Sequence, residues 1–135
     1  MFLNTKIKSK YKGGNALKTF NYESNCVKYK DCFFDMNEYE KGKLSLSIYG
    51  YIENDKDISH ISNLTVNVEE ELPENQVVID NYANSNIISF LLELGIIKRI
   101  VKRVPVKLIL LPVVELDLEV LKEYCYDEEE LRYAS

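Results

Sequence analysis

Tryptophan is absent, and only three prolines, five glycines, three cysteines and one histidine occur in 135 residues. So few glycines and prolines exclude collagen-like and low-complexity chains. Three cysteines, an odd number with no CxxC pair, exclude a disulfide scaffold and fit reduced thiols. The spacing of Cys26 and Cys32 on one segment is wrong for a shared zinc ion, and both are expected as small buried hydrophobes. Long apolar runs are also lacking. Ile87–Leu94 and Val104–Val114 are interrupted and fall far short of the ~20 residues of a spanning helix. Residues 1–6 have no apolar middle region of a signal peptide, so the expected compartment is a cytosol, with no membrane partner.

The ordinary values are those of a globular protein: 46% hydrophobic and 29% charged residues. Lys, Asn, Ile and Tyr are abundant, the usage of an AT-rich genome. Charge is unevenly spread. Residues 1–30 hold seven lysines against Glu23, a net of +6, so the −5 total leaves −11 for the remainder. Lys6, Lys8, Lys10 and Lys12 alternate around Ile7 and Tyr11 before Gly13-Gly14. That pattern suits a solvated edge strand or a basic arm, the one segment through which nucleic acid could be touched.

From Val27 the pattern is one of short strands. Leu44, Leu46, Ile48 and Gly50 alternate with Ser45, Ser47, Tyr49 and Tyr51, a strict period of two. The turn Asn54-Asp55-Lys56-Asp57 precedes a strand over 58–68, and Pro73 ends the ladder within an acidic loop. Gln76–Asp80 reads as a short buried strand. Ile87, Phe90, Leu91 and Leu94 mark one stripe of a helix, with Asn84 or Ser85 as N-cap and Gly95 at C′. Ile96–Val104 reads as a strand, Pro105 and Pro112 bracket another over 106–111, and Asp117 caps a last helix. The expected architecture is one α+β domain over residues 1–135: an antiparallel sheet of about five strands with a central helix and a C-terminal helix on one face. A basic segment occupies 1–25 and an acidic tail 127–135.

No residues are grouped for acid, base or nucleophilic chemistry. His60 has Ser59 and Ser62 nearby but no spaced acid, and no GxGxxG or Walker pattern occurs, so the expectation is a non-enzyme with no cofactor and no metal. Three acidic groups stand out: Glu53, Asp55 and Asp57; Glu69, Glu70, Glu71 and Glu74; and Asp127, Glu128, Glu129 and Glu130. They serve either as solvated faces that maintain solubility or as phosphate mimics that meet a Lys/Arg groove. Ten tyrosines suit an interaction surface, and Tyr49, Tyr51 and Tyr82 are candidates for an exposed sheet face.

The stretches Leu64-Thr65-Val66-Asn67-Val68, Leu72–Asp80, Ala83-Asn84, Phe90-Leu91 and Gly95-Ile96, with Leu111–Leu121, resemble a family of small uncharacterised proteins from Firmicute phages and conjugative elements. The likeness spans roughly residues 26–124. Leu116 stands where that family has an aromatic, and Ile97–Val104 replaces its polar, Gly-rich stretch. The resemblance implies a mobile-element setting and carries no catalytic residues. With the charge pattern, it leads to the expectation of an anti-CRISPR-like, anti-defence inhibitor of a host defence protein or nucleoprotein complex. Two alternatives stand beside it: sequestration of a nucleotide signal at Asn81–Asn86, and a structural homo-oligomer such as a homodimer.

Overall fold

A computed structural model describes residues 11–12 and 15–125. The chain is an α+β protein. Its strands are β1 (Tyr11–Lys12), β2 (Asn15–Ala16), β3 (Phe20–Ser24), β4 (Val27–Glu38), β5 (Leu44–Ile52), β6 (Ser59–Asn63), β7 (Thr65–Val66), β8 (Gln76–Ile79), β9 (Ile97–Val106) and β10 (Ile109–Leu116). Two helices, α1 (Ile87–Glu93) and α2 (Leu118–Lys122), follow β8 and β10. Where about five strands in one sheet are expected, the strands form two four-stranded antiparallel sheets, ordered β3-β4-β5-β6 and β7-β8-β10-β9, beside the β1-β2 pair. The described residues fall into two compact units. One is drawn from 11–12, 15–36, 47–62 and 122–125, the other from 37–46 and 63–121.

The extra sheet arises because the strand expected over 58–68 is interrupted. Leu64 and Thr65 are both buried, so the alternation slips by one residue there. The Leu64 amide donates to the Leu46 carbonyl at 2.8 Å, and the Thr65 hydroxyl accepts from the Leu46 amide at 3.1 Å. Tyr39 closes the same corner with its hydroxyl on the Thr65 carbonyl at 3.1 Å.

In the first unit, β3 and β4 are joined by Asn25-Cys26. Both have positive φ, 50° and 66°, and Ser24 pairs with Val27. This is the backbone of a type I′ turn. The turn points Cys26 into solvent, which corrects its expected burial; Cys32 is buried as expected. Asp31, with φ 50°, is the extra residue of a bulge on β4. Tyr51 is also a correction. It is 1% exposed rather than on an open sheet face, because β5 buries Ile48 and Gly50 on one side and this ring on the other. Tyr49 is half-buried, stacked on Phe33 at 5.9 Å with its ring edge-on to His60 at 5.1 Å. Phe20 packs against Phe34 at 4.9 Å and Tyr124 at 5.7 Å, where the Phe34 amide donates to the Tyr124 carbonyl.

In the second unit, Val78, Val104, Leu111 and Val113 make a core on one sheet face, against which Val66, Val68, Leu72, Val101 and Val106 pack. Helix α1 buries Ile87 and Leu91; each such side chain contributes about 2 kcal/mol by burial. Its end is a Schellman motif. The Gly95 amide donates to the Leu92 carbonyl, the Ile96 amide to the Leu91 carbonyl, and Gly95 takes φ 80°. Its start differs from expectation. Asn86 is the N-cap residue and its side chain makes no capping hydrogen bond, and Asn84 is buried, its side-chain amide donating to the Asp80 carbonyl at 3.0 Å. Asp117 caps α2 as its sequence position suggests, accepting from Glu119 and Val120.

The largest departure concerns the prolines. Rather than bracketing a separate strand, Pro105 lies within β9 and Pro112 within β10, and a two-residue turn at Lys107-Leu108 joins the two strands. Pro105 is tolerated because β9 is an edge strand, and Pro112 lies just beyond the last pair with β8, Val113–Val78.

Candidate binding surface

Glu53, Asp55 and Asp57 share the exposed turn after β5 in the first unit. Asn54 enters the left-handed region at φ 69°, the Asp55 amide donates to the Ile52 carbonyl, and the Asp55 carboxylate accepts from the Asp57 amide at 3.3 Å. These bonds hold three carboxylates on one short segment. Glu53 also lines an open groove of about 500 Å³ with Asn21, Tyr22, Glu23, Lys28, Tyr29 and Lys30, so cations share its surroundings.

Glu69, Glu70, Glu71 and Glu74 occupy the exposed loop between β7 and β8 in the second unit. The loop is pinned at several points. Lys43 donates to the carbonyls of Val68 and Glu70, and Leu72 packs on the sheet core. The Gln76 amide donates to the Pro73 carbonyl, and the Leu116 amide to the Asn75 carbonyl. The Glu70 carboxylate is ion-paired with Lys102. Glu69, Glu71 and Glu74 are exposed and make no ion pair among the described residues.

Tyr82 is 77% exposed. It sits in a turn rather than on a sheet face, held by Asp80, whose carboxylate accepts from the amides of Tyr82 and Ala83. The acidic loop enters β8 at Gln76, whereas Tyr82 follows its other end at Ile79, so the length of β8 separates them. The two acidic groups likewise belong to different units. Asp127, Glu128, Glu129 and Glu130 lie outside the described residues, as do the lysines of residues 1–10.

The polar residues before α1 are occupied with structure. The Ile87 amide donates to the Asn84 carbonyl, the Asn84 side chain is buried, and the Asp80 carboxylate already accepts the nearby turn amides. Among the described residues, no three His, Cys, Asp or Glu side chains are grouped as a metal site. Burial and the neighbouring Asp31 push the Cys32 thiol up to about 12, which keeps it protonated at neutral pH. Burial, with Asp31 again, pushes Tyr51 up to about 12.

The surface missed by sequence reasoning is the basic edge strand β9. Lys98, Arg99, Lys102 and Arg103 are all exposed on this edge strand, along which bulges at the Val113/Val114 and Glu115/Leu116 steps insert an extra β9 residue twice. The second slip falls at Lys98, beside Arg99, whereas Lys102 and Arg103 keep regular register with Val113 and Pro112. The doublets Lys98-Arg99 and Lys102-Arg103 were the available signal.

No family model, characterised protein or solved structure matches this chain. Among the described residues, no helix is long and apolar enough to cross a membrane.

Proposed function

We propose that this protein is a non-enzymatic, anti-CRISPR-like inhibitor encoded by a phage or mobile element. It binds a host nucleic-acid-handling complex in the bacterial cytosol by placing carboxylates in that complex's Lys/Arg groove. The observation that carries this reading is the pinned loop bearing Glu69, Glu71 and Glu74, exposed and without ion pairs among the described residues. A loop already tied by Lys43 and Leu72 loses little freedom on binding, so its carboxylates act as a preorganised anionic edge. Glu53, Asp55 and Asp57 form a second edge of the same kind, and Tyr82 offers an exposed ring on a turn whose backbone Asp80 holds. The mobile-element setting rests on the resemblance of residues 64–96 and 111–121.

The test is protection of an invading phage or plasmid in a bacterial strain with active CRISPR defence. The triple variant Glu69→Lys, Glu71→Lys, Glu74→Lys leaves the Glu70–Lys102 pair intact. It is expected to fold normally and to lose protection. A folded triple variant that protects as well as the parent, or a parent that gives no protection, overturns the proposal.

A further inference from the structure

The β9–β10 hairpin ends in an apolar tip that edge protection does not explain. Leu108 is fully exposed, Leu110 is 60% exposed, and Ile109 also faces solvent. Asn, Asp and Gly are the usual occupants of the positive-φ positions of a two-residue hairpin turn, and a lysine followed by a leucine is not a usual pair there. Here Lys107 takes φ 57° and Leu108 follows it. The register pairs Val106 with Ile109 and Pro105 with Leu110, so Ile109 and Leu110 point to opposite faces of the ribbon, with Leu108 at its end. Apolar side chains therefore lie on both faces of the ribbon and at its end, beside Lys107.

Cations stand behind it. Of the five on this hairpin, Arg99 is paired with Glu115 and Lys102 with Glu70. Lys98, Arg103 and Lys107 make no ion pair among the described residues. Arg103 lies three residues before Val106, about 10 Å along the strand. That matches the depth from the headgroups of a bilayer to the acyl boundary, about 5–10 Å.

We propose that this hairpin docks on an anionic lipid surface: Leu108, Ile109 and Leu110 enter the acyl boundary while Arg103 and Lys107 contact the acidic headgroups. A fluid bilayer can enclose a protrusion that is apolar on both faces, whereas a flat protein patch covers one face only. A second copy of the chain is disfavoured, because a two-fold contact centred on the turn would bring the two Lys107 side chains together. The membrane contact departs from the expectation read from sequence and is independent of the inhibitor reading, since it uses none of the same side chains.

The test is co-sedimentation of the full chain with phosphatidylglycerol–phosphatidylcholine vesicles and with phosphatidylcholine vesicles alone. Binding is expected only with the anionic lipid, weakening as salt is added. Leu108→Ser with Leu110→Ser is expected to weaken it about a hundredfold, roughly tenfold per leucine returned to water. Arg103→Glu with Lys107→Glu is expected to weaken it at least tenfold. Both pairs change exposed residues, so unchanged melting temperatures serve as the folding control. Retained binding by Glu69→Lys, Glu71→Lys, Glu74→Lys separates this proposal from the inhibitor reading. Failure of the parent to bind anionic vesicles, or full binding by the leucine variant, overturns it. So does a dimer in light scattering that the leucine variant dissolves, or tighter binding to a soluble polyglutamate peptide than to vesicles.

Discussion

Gly50 offers the sharpest test of the first unit's packing. It lies inside β5 with ordinary extended backbone, so no turn or positive φ requires glycine there. Space does. A Cβ at this position would stand 2.5 Å from Cys32 Sγ, 3.2 Å from Ile61 Cδ1 and 3.3 Å from Tyr29 Cβ. A carbon and a sulfur cannot approach to 2.5 Å, and Cys32 is fully buried, so its sulfur has no solvent to move into. Gly50→Ala should therefore cost about 3 kcal/mol, the upper part of the range for overpacking, and lower the melting temperature by roughly 10 °C. Cys32→Ala alone should cost about 1–2 kcal/mol through the void left by the sulfur. In the double variant the new methyl group enters that void. Its loss should then fall below the sum of the singles by at least about 1 kcal/mol, a coupling within the range for touching residues. Urea unfolding of the four proteins measures all these terms. A Gly50→Ala loss below about 1 kcal/mol, or strict additivity in the double variant, would refute the reasoning.

Alkaline titration should expose the same buried groups. Cys32 and Tyr51 have native values near 12 against ordinary values of 9.0 and 10.0. The unfolded chain therefore releases these protons first, so stability is full below about pH 9 and is lost as pH rises from 9 towards 12. Melting temperatures across that window check the decline, and Cys32→Ala should flatten its lower part. Separately, Cys26→Gly should stabilise by about 1 kcal/mol, since glycine takes the positive φ of a type I′ turn without a side-chain clash. A calorimetric scan should show a melting temperature raised by roughly 4 °C, and a fall would mean that the turn has another conformation.

The candidate surfaces were only partly legible before the fold was known. The exposed carboxylates of Glu69, Glu71 and Glu74 could be read as charge, but not the pairing of Glu70 with Lys102, which are 32 residues apart. By sequence, Tyr82 and Tyr51 are both candidates for an exposed sheet face. One is open in an Asp80-held turn and the other is enclosed. The hydrophobic tip at Leu108 was hidden because its turn carries no Asn-Gly or Asp-Gly pair and prolines flank it on both strands.

Local chemistry by itself determined the elements whose signals lie within one or two turns of chain. Gly95 closing α1, Asp117 capping α2 and the alternation through Leu46, Ile48 and Gly50 are all of this kind. They depend on backbone conformations and side-chain reach, which neighbours in sequence supply. Tertiary structure alone decided that the strands divide into two sheets at Leu64, and that β9 runs through Pro105 as an edge on which both Lys-Arg doublets are exposed. A strand's partners are chosen by burial across long sequence separations. A slip of one residue exchanges its two faces, so no local pattern could settle which side chains this protein shows to water.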